Sequence, residues 1–103
     1  MTEIEQLPAL EATPHANVFP SAEPKTVRLT LDADERADPH THPGRDIVLY
    51  VVEGAIDLDL DDERHALEAG DVAQFAGERE ISPVARERSV ALVVLAERAE
   101  AAG

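Results

Sequence analysis

Ala55–Leu60 reads AIDLDL, so Ile56, Leu58 and Leu60 point one way while Asp57 and Asp59, followed by Asp61, point the other. A strict two-residue period of this kind belongs to a strand, because successive side chains of an extended chain leave opposite faces. The pattern recurs along the chain. Thr26–Leu31 (TVRLTL) sets Val27, Leu29 and Leu31 against Arg28 and Thr30. Ile47–Val52 (IVLYVV) is a continuous β-branched and aromatic run, predicted to be a strand buried on both faces. His65–Leu67, Val72–Phe75, Ile81–Val84 and Val90–Leu95 are further strand candidates. Between them lie turn signals: the polar stretch Asp32–Asp38, the corner Glu53-Gly54, then Asp61-Asp62-Glu63 and Ala69-Gly70-Asp71. Short strands with turns roughly every 8–12 residues, and no convincing helix, predict an all-β antiparallel sandwich or barrel.

The ends of the chain do not share this pattern. Pro8, Pro14, Pro20 and Pro24 break residues 1–24 into an irregular segment, with a short helix or an added edge strand expected around Ile4–Leu10. This segment is expected to lie over the surface or to reach a partner subunit. Residues 25–97 make the barrel, and 98–103 form a tail in which only Ala99–Ala102 lean towards helix. With 103 residues there is room for one core.

Composition removes several function classes. The chain has no cysteine, which excludes disulfides, thiolate zinc sites and cysteine nucleophiles. No basic, apolar leader opens it, and no apolar run reaches the roughly 18–20 residues that span a bilayer. The expectation is therefore a cytoplasmic protein without a membrane partner. Asp and Glu number 22 against 9 Lys and Arg, for a formal charge of −13. Such a surface repels phosphate backbones, so nucleic acid is not an expected partner. Lys25 is the single lysine. Acidity with scarce lysine fits a halophilic protein, whose self-repulsion molar salt screens to a Debye length of about 3 Å.

Two segments carry a family likeness. Pro39–Gly54 (PHTHPGRDIVLYVVEG) resembles the first motif of the cupin superfamily, an H-x-H followed by a glutamate and then a glycine. Gly70–Glu80 (GDVAQFAGERE) resembles the start of the second motif, where G-D opens a strand and a third histidine follows. The matching region runs over about Lys25–Glu97. The resemblance implies a small double-stranded β-helix, or jelly-roll barrel, often a homodimer that adds or exchanges an N-terminal strand. The sequence departs from the motifs in places. Asp34 stands where the family often has a glycine, and Ile47 or Asp46 falls at the glutamate, depending on spacing. Glu80 falls near the third histidine.

His40 and His42 are two residues apart, so on a strand both imidazoles leave one face and can meet one metal at about 2.0–2.1 Å. A carboxylate from another strand would complete a set suited to ferrous iron, manganese, nickel or zinc. Glu80 is the first candidate and Asp46 the second, since parity places Asp46 opposite Ile47, Leu49 and Val51. The other reading is that the H-x-H is a solvated pair at a strand end, or a remnant in a barrel that binds no metal. His15 and His65 read as surface residues, Tyr50 as packing in a core or dimer, and Asp57, Asp59 and Asp61 as a solvated face. One of Gln74 and Phe75 faces the cavity. Ser21, Ser82 and Ser89 lack a nucleophile's context.

Two functions follow from this reading. In one, the barrel binds a small ligand in a cavity lined by Ile47, Leu49, Val51 and Gln74, with a divalent metal at the two-histidine site or with none. In the other, it is a small metal-dependent dioxygenase or isomerase acting on a small polar molecule.

Overall fold

The computed structural model of the chain describes residues 2–98, so Ala99–Ala102, with their helical lean, lie outside the described residues. A 3₁₀ turn, Leu7–Ala9, precedes eight strands. These are β1 (His15–Asn17), β2 (Lys25–Leu31), β3 (Arg45–Glu53), β4 (Ala55–Leu60), β5 (Glu63–Glu68), β6 (Val72–Ala76), β7 (Ile81–Ala85) and β8 (Ser89–Glu97). A five-stranded sheet runs in the order β1-β2-β8-β3-β6 and a three-stranded sheet in the order β5-β4-β7, with every pairing antiparallel. The antiparallel two-sheet arrangement is what the alternation predicts, and it takes the jelly-roll form that the family resemblance implies.

The alternating residues do what their period requires. Val27, Leu29 and Leu31 of β2, Ile47, Leu49 and Val51 of β3, and Ile56, Leu58 and Leu60 of β4 share one core between the sheets. Leu31, Ile47, Leu49, Val51, Ile56 and Leu58 are fully buried. Each such side chain contributes roughly 1.5–3 kcal/mol by leaving water. Turns follow the sequence signals too. Gly54 has φ +88°, and a Cβ there would collide with Ser89 and with the Arg88 carbonyl. Asp34, in place of the family's frequent glycine, also adopts the left-handed region, at φ 68°, which a short acidic side chain tolerates better than most.

Two expectations change in the folded chain. β3 is buried on one face only: Tyr50 is 38% exposed and Val52 37%, while Val72, opposite Tyr50 on β6, is 61% exposed. Together with half-buried Val48, Leu92 and Val94 they form an uncharged strip on the outer face of the five-stranded sheet. A β-branched run therefore marks a strand here without marking double burial.

The second change concerns Arg28 and Thr30, which sit on that same outer face yet are buried. The N-terminal segment crosses them. The Arg28 guanidinium donates to the carbonyls of Leu7, Leu10 and Ala12, and Thr30 N–H donates to Pro14 O at 2.8 Å. The short helix expected near Ile4–Leu10 is the 3₁₀ turn, and the added edge strand lies further on, at β1.

Candidate functional site

The H-x-H lies on a segment that the second sheet recruits as an extra edge. Asp34 N–H donates to Ala85 O and Ala37 N–H to Pro83 O, and His40 exchanges two backbone hydrogen bonds with Ile81. Residues 34–40 thus run along β7, and their main chain is held by a buried strand. The next two residues are held from the other side. His42 N–H donates to Gly77 O at 2.7 Å, and Gly77 N–H donates to Arg45 O at 2.7 Å. A Cβ at residue 77 would strike the carbonyls of His42 and Arg45. The glycine lets the β6–β7 turn lie against the histidine loop.

Held this way, His40 and His42 face one cavity of about 700 Å³. Their rings meet edge-on, centroids 4.7 Å apart and planes at 86°. The His40 Nδ1 lies 2.7 Å from Asp38 O; a carbonyl only accepts, so in the neutral ring the proton is on Nδ1 and Nε2 keeps its lone pair. The cavity floor is aliphatic, from Val27, Leu29, Ile47, Leu49, Val93 and Leu95. His15, Asn17 and Lys25 stand at its rim on the β1–β2 side, with Glu35, Arg36 and Asp38 across from them. Pairing explains these directions. His15 is opposite Leu29, Asn17 opposite Val27, and Lys25 opposite Leu95, and directly paired residues share a face.

Burial lowers the pKa of His42 from its ordinary value, and the neighbouring His40, Lys25, Arg45 and His15 lower it further. Burial likewise lowers His15, with His40 and Lys25 adding to the effect. Both shifts favour the neutral imidazole, which can offer a lone pair or an N–H.

The structure brings together only part of the expected donor set. Asp46 does not line the cavity; it faces outward, where its carboxylate takes Arg98 Nε at 3.2 Å. Glu80 is exposed outside the cavity, its backbone N–H bonded to the Asp61 side chain at 3.0 Å. Both placements have one cause. Each residue immediately precedes a buried inward side chain, Ile47 or Ile81, and strand parity turns it out. Among the described residues no group of three His, Asp or Glu side chains is placed to hold an ion. Gln74 is exposed and Phe75 buried, so Phe75 takes the inward position. Val51 packs in the core below the cavity.

His15 is the residue that sequence reasoning missed. It reads as a surface histidine among prolines, and only the pairing of β1 with β2 turns it to the cavity. Lys25 was likewise not assigned to the site, although it shares parity with Val27, Leu29 and Leu31. The aspartates of β4 are also more engaged than a solvated face implies. Asp59 receives hydrogen bonds from Arg64 and Arg36, and these hold its carboxyl well below the usual carboxylate range. Arg36 reaches on to Ser82 Oγ at 2.8 Å, which ties this outer network to the cavity wall.

Compared with known proteins, the sequence matches the family described as "Cupin domain" over residues 27–95. No curated protein matches it. Among solved structures, TT1209 from Thermus thermophilus superposes with a TM-score of 0.76 at 26% identity, covering 95% of this chain and 100% of that one. KdgF from Halomonas sp. gives a TM-score of 0.70 at 26% identity, covering 84% and 81%. The cupin domain of Cnp3 from Schizosaccharomyces pombe gives 0.78 over 90% and 68%; at 13% identity that likeness concerns the fold alone.

The Gly77 contact generates a test. Gly77→Ala forces the β6–β7 turn away from the histidine loop, and overpacking of this kind costs about 1–3 kcal/mol. Urea denaturation should show that loss, and the His42 imidazole resonances should move while those of His65 stay. Unchanged stability and an unmoved His42 signal would rule out the lock.

Proposed function

Because this chain belongs to the Cupin domain family, matched over residues 27–95, we propose that it is a small-molecule-binding barrel whose ligand occupies the cavity beside His40 and His42. One observation carries this reading: the cavity is complete while the metal donor set is not. An aliphatic floor and a rim of convergent polar groups suit a small molecule with an apolar body and a polar end. Ile47 lines the floor at the position where the motif's glutamate can fall, and Asp46 and Glu80 stand outside.

A second reading, a divalent ion on His40 and His42, draws support from their shared direction and the edge-on contact at 4.7 Å. The donor chemistry fits in part: two imidazoles face one cavity, and water or the ligand would supply the remaining positions. Such an ion would act as a Lewis acid, the basis for a metal-dependent dioxygenase or isomerase acting on a small polar molecule. In that reading the residues of this chain orient the ligand: the floor excludes water from its apolar part, and the Asp38 carbonyl keeps His40 Nε2 free to ligate.

The outer strip of Tyr50, Val52 and Val72 bears on assembly. We propose that a second copy of this chain covers it. On a chain of charge −13 two copies repel over most of their surface, and this uncharged strip is where they can approach without opposing carboxylates.

Three outcomes check these readings. A fragment library screened by NMR should shift residues lining the cavity, and Val93→Phe, which fills the floor, should abolish those shifts while the fold persists. Hits that survive the substitution would exclude the cavity. Plasma mass spectrometry on untagged protein in molar KCl should find near-stoichiometric metal, lost in His40→Ala/His42→Ala, if the second reading holds; metal-free protein with its fold intact would end it. Light scattering should give a dimer mass that Tyr50→Asp/Val72→Asp lowers to a monomer, whereas a monomeric parent would refute the interface.

A further inference from the structure

Nine basic side chains serve this chain, and eight are engaged by its own oxygen atoms. Seven arginines lie within 4 Å of a carboxylate, and Arg28 is bound to three carbonyls. Lys25 is the exception. Among the described residues its ammonium has no ion pair and no hydrogen bond, although the chain carries 22 acidic residues. It stands at the rim of the cavity on the inward face of β2, directly above the aliphatic floor begun by Val27 and Leu29.

The surroundings of Lys25 leave it available. His15 and Asn17 are beside it on β1, and His40 and His42 lie on the facing wall. Of the two acidic residues at the rim, Glu35 is turned to its own loop, where its carboxylate accepts Asp32 N–H at 2.9 Å. Asp38 is the other, and its carbonyl holds His40. Arg36 is already taken by Asp59 and Ser82. The charges acting on His15 and His42 are cationic, from Lys25 and, for His42, Arg45, with His40 beside both. The polar end of the cavity thus has one unpaired cation, Lys25, beside the paired Arg36, in a chain that is otherwise strongly acidic.

We propose that the cavity selects a small monocarboxylate with a short apolar body, its carboxylate held by Lys25 and its chain lying on Val27, Leu29, Ile47 and Leu49. This rests on the reading of the cavity as a small-molecule site and names the ligand's chemical class. A charge-assisted contact is about twice as strong as a neutral one, so a single ammonium at the rim is enough to orient a ligand whose other end is apolar. A dianion fits less well, because one lysine leaves a second charge facing a net −13 surface. His15, His42 and the Asn17 amide line the same cavity and can accompany the lysine, whereas the His40 N–H is taken by the Asp38 carbonyl.

The test uses the full labelled chain and three probes of one shape: isovalerate, isovaleramide and isopentanol. Isovalerate should shift the imidazole resonances of His15, His40 and His42 and bind about tenfold more tightly than the amide. Lys25→Gln should bring the two to equal affinity, and Lys25→Arg should keep the preference, which separates loss of charge from loss of fold. Equal binding of acid and amide to the parent chain, or a preference that survives Lys25→Gln, overturns the anion inference and leaves the small-molecule reading standing. No imidazole shift from any of the three probes overturns both.

Discussion

A two-sheet barrel must fill the space between its inner faces, and here the filling is uneven. At one end Leu31, Val51, Ile56 and Leu58 meet and are fully buried. Towards the other end the same strands present Val27, Leu29, Ile47 and Leu49, and then the inward positions turn polar, to His15, Asn17, Lys25, His40 and His42. Imidazoles, an amide and an ammonium hold on to water and cannot close a core as aliphatic side chains do. The cavity is therefore a direct result of which residue types occupy the inward parity at that end. The core below it supplies the rigidity that keeps two histidine rings in fixed contact.

The backbone carries the other half of that precision. The H-x-H is outside any long strand, and its position depends on main-chain bonds to Ile81 on one side and Gly77 on the other. Two neighbours from different elements define the loop more tightly than either could alone. Side chains inherit that order, since the Asp38 carbonyl then sets the His40 tautomer.

Outside the barrel the acidic surface is organised. Asp57 and Asp59 of β4 are braced by Arg36, Arg64 and Arg86, and Glu78 is held down to about 2 by the Arg98 guanidinium and the Gly44 N–H. Exposed pairs of this kind are worth about 0–1 kcal/mol each, so their larger effect is to engage the arginines. With Arg28 held by three backbone carbonyls, that leaves Lys25 as the one base without a partner among the described residues, and makes the rim of the cavity electrically unlike the rest of the surface.

The positions of β2 to β8, though not their limits, and the inward residues of β2, β3 and β4 were determined by the sequence alone, because a two-residue period has a single structural interpretation. Parity also placed Asp46 outward. Tertiary structure decided the rest. His15 became part of the cavity through the pairing of β1 with β2, a contact between segments with no shared local signal. Glu80 left the donor set because β7 starts at Ile81 and turns its predecessor out, which depends on where pairing begins. Arg28 is buried because the N-terminal segment crosses it, and β3 is exposed on its outer face because nothing in the described chain does the same there. Local periodicity is a property of one strand, whereas a cavity is formed by strands distant in sequence, and their register is set only when the sheets assemble.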